Sequence, residues 1–282
     1  MEPGKDDRAR IERAVSERFG FEPAVRPDWP GLGELALSLE HRSHRKYDAR
    51  PVDPDLLRLL FACAFSAPSK SDLQQATVIH VADRGRRKAI VDAIPDMPWI
   101  MDAPVFLVFC GNNRRIRQIG AWHGKPFANE HLDHFMNAAV DAALVMMSFI
   151  RAAEAVGLGA CPISHVRNHA EVTSRALELP EGVFPVAGLC VGYPAEAGRI
   201  TPRLPLEVTV QVDHYDESGL RQKLESYDRR RHELLPYRKQ RDAGRYASVE
   251  LYGWSEDKAR QCSVPERENF GAFIRGHGFS LK

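Results

Sequence analysis

The sequence has few cysteines, almost no net charge and no long uninterrupted apolar run, and each scarcity excludes a class of protein. Its five cysteines are widely spaced without a CxxC pair, which favours reduced thiols over a disulfide framework or a zinc site. Thirty-nine basic and 38 acidic residues leave a formal charge of +1, which gives no electrostatic reason to expect nucleic acid or an anionic membrane as partner. The longest apolar stretch, residues 138–150, contains Asp141 and is too short to span a bilayer.

The N-terminal segment mixes aspartate, arginine and glutamate and lacks the apolar core of a secretory signal, so we expect a cytoplasmic protein. We interpret residues 1–30 as an extension and residues 31–282 as a single domain, within which residues 206–250 form a charged helical arm. Most of the cysteines are flanked by apolar residues, and we expect these to be small core residues. They are Cys63, Cys110, Cys161 and Cys190.

Hydrophobic periodicity predicts an α+β fold. Apolar residues at helical spacing cover residues 9–19 and 53–67, and Asp53 is placed to cap the second of these helices. The charged stretch at 217–235 has a helical pattern as well. Runs of β-branched and apolar residues predict three strands of a buried sheet, at 77–82, 104–110 and 184–193.

The longest predicted helix, residues 129–156, ends at Gly157 and Gly159, after which we expect irregular backbone. Its apolar residues occupy more of the circumference than the single stripe that a surface helix requires. One sheet cannot cover them all, so the pattern predicts a second subunit packed on this helix about a two-fold axis.

A further helical pattern at residues 32–42 begins the main domain, and a first candidate binding segment, HRSHR at residues 41–45, lies at its end. Arginine supplies fixed, charge-assisted donors and serine a short hydroxyl donor, a mixture suited to a cofactor phosphate. The alternative is a helix C-terminus whose cations only face the dipole. A second segment, residues 67–75, carries hydroxyl and amide groups that could bond the polar edge of a cofactor ring, although it also reads as an ordinary turn.

Two further segments follow the longest helix. Residues 157–168 could offer free backbone N–H groups to a cofactor ring, and the alternative is a simple glycine stop. Residues 198–205 place Arg199 and Arg203 between prolines as a second cationic clamp, and the alternative is a solvated loop. The histidines His123, His131 and His134 have no carboxylate at ligand spacing, so we expect no metal.

In order and spacing, these segments together resemble the nitroreductase family, in particular the group-A branch of oxygen-insensitive NADPH nitroreductases and flavin reductases. The resemblance covers residues 33–282 and is most specific over 157–205. It implies a nitroreductase fold with a central mixed β-sheet flanked by helices. It also implies an interlocked homodimer with a long buried interface helix.

The resemblance implies a role for each segment. The first segment would hold the phosphate and the pyrimidine end of FMN, through His41, Arg42, Ser43 and Arg45. The second would reach the flavin from the other subunit, through Ser69, Ser71 and Gln74. The backbone beside flavin N5 would come from Ile163, Ser164 and His165. Arg203 would bind the FMN phosphate, and Arg238 would bind the NADPH phosphate.

The resemblance implies an FMN-dependent NAD(P)H oxidoreductase, which reduces nitroaromatics, quinones or flavins by two-electron hydride transfer in a ping-pong cycle. The flavin N5, rather than a catalytic side chain, would carry the chemistry. Alternatives on the same fold are a dehalogenase, a desaturase, a flavin-fragmenting enzyme or a non-catalytic flavin-binding module. A nucleic-acid binder using the basic stretch of the charged arm, YRKQRDAGR at residues 237–245, is a further alternative. Arg238 favours NAD(P)H, because an enzyme that skips pyridine nucleotide has no use for it.

The sequence departs from the family pattern at several positions. Thr201 stands where group-A members have a lysine on the FMN phosphate, so Arg199 would have to supply the missing charge. Pro162 and Ser164 replace a tyrosine and a glycine beside the flavin, and residues 97–99, MPW, replace a polar flavin contact. The N-terminal extension lies outside the usual pattern.

Overall fold

The computed structural model describes residues 5–282, which form two compact units. The sheet unit comprises Ser43–Gly198 and Glu266–Lys282. The helical unit comprises the described residues up to Arg42 together with Arg199–Pro265. The boundary expected at residue 30 falls inside the helical unit, and the division into an extension and one domain stays a prediction.

The α-helices are numbered here in chain order within the described residues. The first two helices and the three that precede the C-terminal helix belong to the helical unit, and the others belong to the sheet unit. They are α1 Lys5–Phe19, α2 Leu32–Leu39, α3 Pro54–Phe65, α4 Arg84–Asp92, α5 Arg114–Trp122, α6 Leu132–Ala155, α7 Ala170–Ala176, α8 Leu206–Thr209, α9 Leu220–Leu234, α10 Trp254–Cys262 and α11 Phe270–Gly276. The helices α1, α2, α8, α9 and α10 therefore belong to the helical unit, the last three of them between Arg199 and Pro265.

The sheet has four strands in the order β1-β2-β4-β3, and every neighbouring pair is antiparallel. The three predicted strands are confirmed. The expectation of irregular backbone after the glycines is wrong, because the fourth strand begins there and takes its hydrogen bonds from β4 despite a glycine and a proline of low strand propensity. The strands are β1 Ala76–His80, β2 Val105–Asn112, β3 Gly159–Ile163 and β4 Val183–Gly192. The parallel part of the predicted mixed sheet is one bridge, between Ser43 and Ala160.

The strand β2 shows why the sheet is buried on both faces. Successive side chains of a strand point to opposite faces. Leu107 and Phe109 enter the core formed with α3 and α6, whereas Phe106 and Val108 enter the core formed with α4 and the loop before β2. Both cores exclude water from the strand, which explains its uninterrupted apolar sequence.

Local signals determine α3 as predicted. The Asp53 carboxylate accepts hydrogen bonds from the backbone N–H groups of Asp55 and Leu56, at 2.8 and 3.0 Å. These bonds satisfy donors that have no partner within the helix.

The predicted cysteine burial holds for Cys110, Cys161 and Cys190, and burial raises the pKa of Cys110 to about 12. It is wrong for Cys63, which lies on the exposed side of α3.

The long helix α6 confirms the sequence prediction of an apolar helix with more than one apolar face. One face packs against α3 and β2 in the core, and Phe149 on this face is fully buried. Another face is exposed in the single chain and carries large apolar side chains: Leu132, Met136, Val140, Leu144 and Met147. Length and composition alone would let α6 cross a membrane, which is true of no other helix among residues 5–282.

The helical unit has a small core of its own. Ile11 and Val15 of α1 pack against Leu32 and Ala36 of α2. On α9, Tyr227 is buried and its ring meets that of Trp254 edge to face, with 5.8 Å between the centroids. The N-terminal helix is therefore an integral part of this unit.

Candidate functional site

The segment 41–45 spans a unit boundary, with His41 and Arg42 in the helical unit and the rest in the sheet unit. Ser43 bridges Ala160 of β3 in parallel, and the His44 N–H donates to the Ala160 carbonyl at 3.0 Å. A Cβ on Gly159 would come within 2.7 Å of the His44 ring, so this glycine permits the close approach. The sheet unit thus brings the first candidate segment alongside the strand that leads into the third.

The turn after Ser43 is held so that Arg45 points away from the core. The Tyr47 hydroxyl lies 2.5 Å from the His44 carbonyl oxygen and 3.1 Å from that of Cys190. Burial raises the pKa of Tyr47, which keeps the hydroxyl protonated as a donor. Arg45 is exposed, and its guanidinium has no hydrogen bond or ion pair within residues 5–282. It is therefore a cation available to a ligand.

The second segment is organised by Asp141, a carboxylate on α6 that is 2% exposed. It accepts a hydrogen bond from the Ser69 hydroxyl at 2.7 Å and from the backbone N–H groups of Lys70 and Gln75 at 3.1 and 3.0 Å. Asp141 was not predicted from the sequence to be a site residue. The signal that could have found it is a charged residue within an apolar stretch of a helix, since buried charges are retained only where they are paired or hydrogen-bonded.

The loop that Asp141 anchors has a strained backbone. Ser71, Asp72 and Gln74 have φ values of 50°, 57° and 50°, in the left-handed region. For residues with a Cβ this conformation costs about 1–2 kcal/mol each, and it persists only where the surroundings impose it. The side chains of Ser71 and Gln74 are exposed, so the anchored loop presents a hydroxyl and an amide to a ligand.

The third segment lies at the end of β3. Ile163 is buried, and Ser164 and His165, which begin the short 3-10 helix Ser164–Arg167, are half-buried. The Ser164 hydroxyl accepts a hydrogen bond from Arg267 at 3.2 Å. Arg267 was not predicted, because it is far from Ser164 in sequence and has no motif around it. Ser164 thus has a hydrogen-bond partner that the glycine of the family pattern would lack a hydroxyl to bind.

The fourth segment belongs to the helical unit. Arg203 donates through Nη1 to the Thr201 hydroxyl oxygen at 2.8 Å, and the Tyr227 hydroxyl donates to the Pro202 carbonyl at 3.2 Å. Thr201 therefore holds the neighbouring arginine in place of contributing a charge of its own. Arg199 and Arg203 are both exposed, and Arg199 has no hydrogen bond or ion pair in the described part of the chain.

Arg238 lies in the segment that follows α9 and is exposed, without a hydrogen bond or ion pair inside residues 5–282. The segment itself is ordered by its neighbours. The Arg231 guanidinium lies 4.1 Å from the centre of the Tyr237 ring, and Gln240 exchanges two hydrogen bonds with the backbone of Val249, at 2.7 and 3.0 Å. A positive side chain on a fixed loop is suited to binding a phosphate.

Other residues considered in the sequence have structural roles. Met97 and Trp99 pack beside the core around Phe106, which accounts for the apolar residues at 97–99. Burial and the charge of Arg117 lower the pKa of His134 to about 4, so this histidine is neutral near pH 7. The structure describes no group of three metal-binding side chains in residues 5–282, and the expected absence of a metal stays a prediction.

Most of the chain is similar to known proteins. A model of the nitroreductase family matches residues 39–193, and a model of the nitroreductase family C-terminal domain matches residues 201–282. An FMN reductase (NAD(P)H) of Bacillus subtilis is 36% identical over 255 residues, which are 89% of this chain and 100% of that protein. An oxygen-insensitive NADPH nitroreductase of Salmonella typhimurium is 35% identical over 182 residues, 64% of this chain and 74% of that protein.

Solved structures agree with the sequence matches. The structure of NfrA2 from B. megaterium superposes with a TM-score of 0.80 at 28% identity, over 88% of this chain and 98% of that chain. The hypothetical oxidoreductase YcnD from Bacillus subtilis gives a TM-score of 0.79 at 31% identity, with the same two coverages of 88% and 98%. The arrangement of strands and helices described above is therefore a known one.

Proposed function

This chain belongs to the nitroreductase family, and from that premise we propose that it is an FMN-dependent NAD(P)H oxidoreductase that reduces small acceptors such as nitroaromatics, quinones or flavins. Relatives named FMN reductase and oxygen-insensitive NADPH nitroreductase support this proposal. The cycle is a ping-pong exchange in which oxidised nucleotide leaves before the acceptor binds. We place the enzyme in the cytoplasm.

One observation of the structure carries the proposal: the backbone pairing of Ser43 and His44 with Ala160 of β3. The sequence alone selected residues 41–45 and 157–168 as separate candidate binding segments. The sheet unit sets residues 43 and 44 beside β3, so the two candidate segments can serve one ligand.

The donors on these segments fit FMN. The anionic groups of FMN require cations that are not already neutralised, and Arg45 and Arg199 meet this condition within residues 5–282. The exposed side chains of Ser71 and Gln74 are suited to the polar edge and the ribityl chain of a flavin. When bound, FMN supplies the hydride chemistry, accepting a hydride from NAD(P)H and passing it to the acceptor.

The contribution of this chain is binding and orientation. The proposal assigns to Arg45 the role of a cation near the pyrimidine end, where positive charge stabilises developing negative charge. It assigns to the backbone of 163–165 the orientation of the ring, with Arg267 steadying Ser164. Arg238 is assigned the extra phosphate of NADPH, and the roles of the individual residues stay predictions.

We further propose a homodimer formed through the exposed apolar face of α6. The large side chains on this face, such as Met136 and Val140, would otherwise stay in water, and an obligate interface of this kind typically exceeds roughly 2,000 Å². In this assembly Ser69, Ser71 and Gln74 serve the flavin of the other subunit. Neither a metal, a nucleic acid nor a membrane is part of the proposal.

An anaerobic titration tests the activity directly. The purified protein should be yellow, and stoichiometric NADPH or NADH should bleach the flavin absorbance, which a nitroaromatic or quinone then restores. A yellow protein that neither nucleotide bleaches would indicate a flavin-binding module. A colourless protein with steeply salt-dependent binding to DNA or RNA would indicate a nucleic-acid binder.

Two cations are predicted to hold FMN, Arg45 near the pyrimidine end and Arg203 at the phosphate. Arg45→Ala and Arg203→Ala should each weaken FMN binding by about 1.5 to 3 kcal/mol, the worth of one charge-assisted hydrogen bond. Flavin occupancy after gel filtration at dilute concentration measures the loss. Arg84→Ala, which removes an exposed arginine from α4, is the matched control. Full occupancy in both test variants would show that FMN binds elsewhere.

Arg238 is predicted to select NADPH. Arg238→Ala should raise the KM for NADPH roughly tenfold or more and leave the KM for NADH nearly unchanged, because only NADPH carries the extra phosphate. Steady-state kinetics with both nucleotides measures the effect. Lys239→Ala removes the neighbouring exposed charge and controls for general attraction. Equal effects of Arg238→Ala on both nucleotides would contradict this role.

A further inference from the structure

The helix α1 is absent from the parts of the chain that the two family models match, residues 39–193 and 201–282. It nevertheless contacts both phosphate segments of the helical unit. Arg18, in the last turn of α1, is 6% exposed and makes these contacts through its guanidinium. A buried guanidinium must have its donors satisfied, so the positions of its acceptors are informative.

The acceptors of Arg18 are backbone carbonyls from two distant parts of the sequence. Nε and Nη2 donate to the Leu39 carbonyl at 3.1 and 2.9 Å, and Nη2 also donates to the His41 carbonyl at 2.5 Å. Nη1 donates to the Thr201 carbonyl at 3.3 Å. The carbonyls at the end of α2 lack partners within that helix and carry its negative dipole end, so a cation stabilises them.

The loop that carries Arg203 is held at each of its residues. Besides the bond from Arg18 to Thr201, the Tyr227 hydroxyl of α9 donates to the Pro202 carbonyl at 3.2 Å. The Arg203 N–H donates to the carbonyl of Arg18 itself at 2.7 Å. These contacts fix the backbone from which the Arg203 side chain extends.

The helix α1 is itself firmly attached within the helical unit. Arg10 forms an ion pair with Glu40 at 2.6 Å, directly before the first phosphate segment. At the other end, Arg230 of α9 donates to the Ser16 and Glu17 carbonyls at 3.3 and 2.8 Å. Displacing α1 would therefore break contacts to both segments at once.

We propose that α1 is a built-in part of the FMN-phosphate site, and that Arg18 is the positioning residue that holds residues 41–42 and 201–203 in one fixed arrangement. The arrangement offers the cations of both segments, Arg42 and Arg203, to a single phosphate without rearrangement on binding. Preorganised donors bind a ligand more tightly because they do not have to be ordered when the ligand binds. The inference rests on the proposed function and extends it to a helix outside the family matches.

The test compares FMN with riboflavin, which has the same ring and ribityl chain but no phosphate. Arg18→Lys keeps the charge, but a single ammonium cannot span the carbonyls of both segments. We expect it to raise the dissociation constant of FMN by roughly tenfold or more, and that of riboflavin by less than about twofold. Fluorescence quenching of each flavin by the apoprotein measures both constants, and Arg8→Ala on the exposed side of α1 is the control.

Tyr227→Phe removes one bond to the same loop from the α9 side, and it should also weaken FMN selectively. It decides the question if Arg18→Lys does not accumulate as folded protein. Equal losses for the two flavins, or no loss, in the folded variants would overturn the positioning role alone. Failure of the unaltered protein to bind either flavin would overturn the proposed function together with this inference.

Discussion

Ala143→Glu is expected to be recovered either as insoluble protein or as a colourless monomer. Ala143 is exposed on α6 between the large apolar side chains of Val140 and Met147, which are 42% and 45% exposed in the single chain. A carboxylate there would be buried without a partner on dimerisation, which costs several kcal/mol or prevents assembly. The variant should lose FMN together with the dimer, because a ligand that binds only the assembled form is linked to assembly by mass action.

Light scattering alongside flavin absorbance on the purified variant measures both consequences. Ala9→Glu places the same charge on an exposed position of α1 and should leave mass and colour unchanged. A stable Ala143→Glu monomer with stoichiometric FMN and full activity would disprove the proposed interface.

Loss of the Asp141 carboxylate is expected to release the loop of residues 69–75. Asp141→Ala leaves the Ser69 hydroxyl and two backbone N–H groups without their acceptor, and each unsatisfied buried donor costs about 1–3 kcal/mol. The left-handed residues of the loop, Ser71 among them, then relax to ordinary φ values. We expect FMN affinity to fall more than about a hundredfold and the apoprotein to melt at a lower temperature.

Asp141→Asn distinguishes an effect on the loop from an effect on the packing of the core. It preserves the volume on α6 but replaces one acceptor oxygen by a donor, so its effect on FMN should be smaller and its effect on melting slight. Isothermal titration with FMN and thermal unfolding of the apoprotein measure the two effects. Asp133→Asn, in the first turn of α6, is the exposed control. Unchanged FMN affinity in both Asp141 variants would remove the loop from the flavin site.

Much of the fold could be predicted from local pattern. The apolar runs at β1, β2 and β4 and the helical spacing of α3 and α6 appear in the structure where they were predicted. The cap by Asp53 was also predictable, because its donors lie two and three residues away. The strand β3 was missed because a glycine and a proline weaken its local signal, and only pairing with β4 makes it a strand.

The candidate site was predictable in part, and the limit is the range of the interactions. Arg45, Ser71 and Gln74 were identified because their residue types and spacing match a family pattern. Asp141 and Arg267 were not assigned to the site, although each bonds a residue in one of its segments. Neither partner pair is close in sequence, so no local window contains both donor and acceptor.

The sequence by itself determined the strands and helices with strong periodicity, the capped start of α3 and the segments that resemble the family. Tertiary structure alone decided that β3 is a strand and that Asp141 anchors a strained loop. It also decided that Arg18 joins the end of α2 to Thr201. The physical reason is that periodicity and capping act over a few residues, whereas a buried charged side chain takes its partners from whatever backbone the folded chain brings within hydrogen-bond distance.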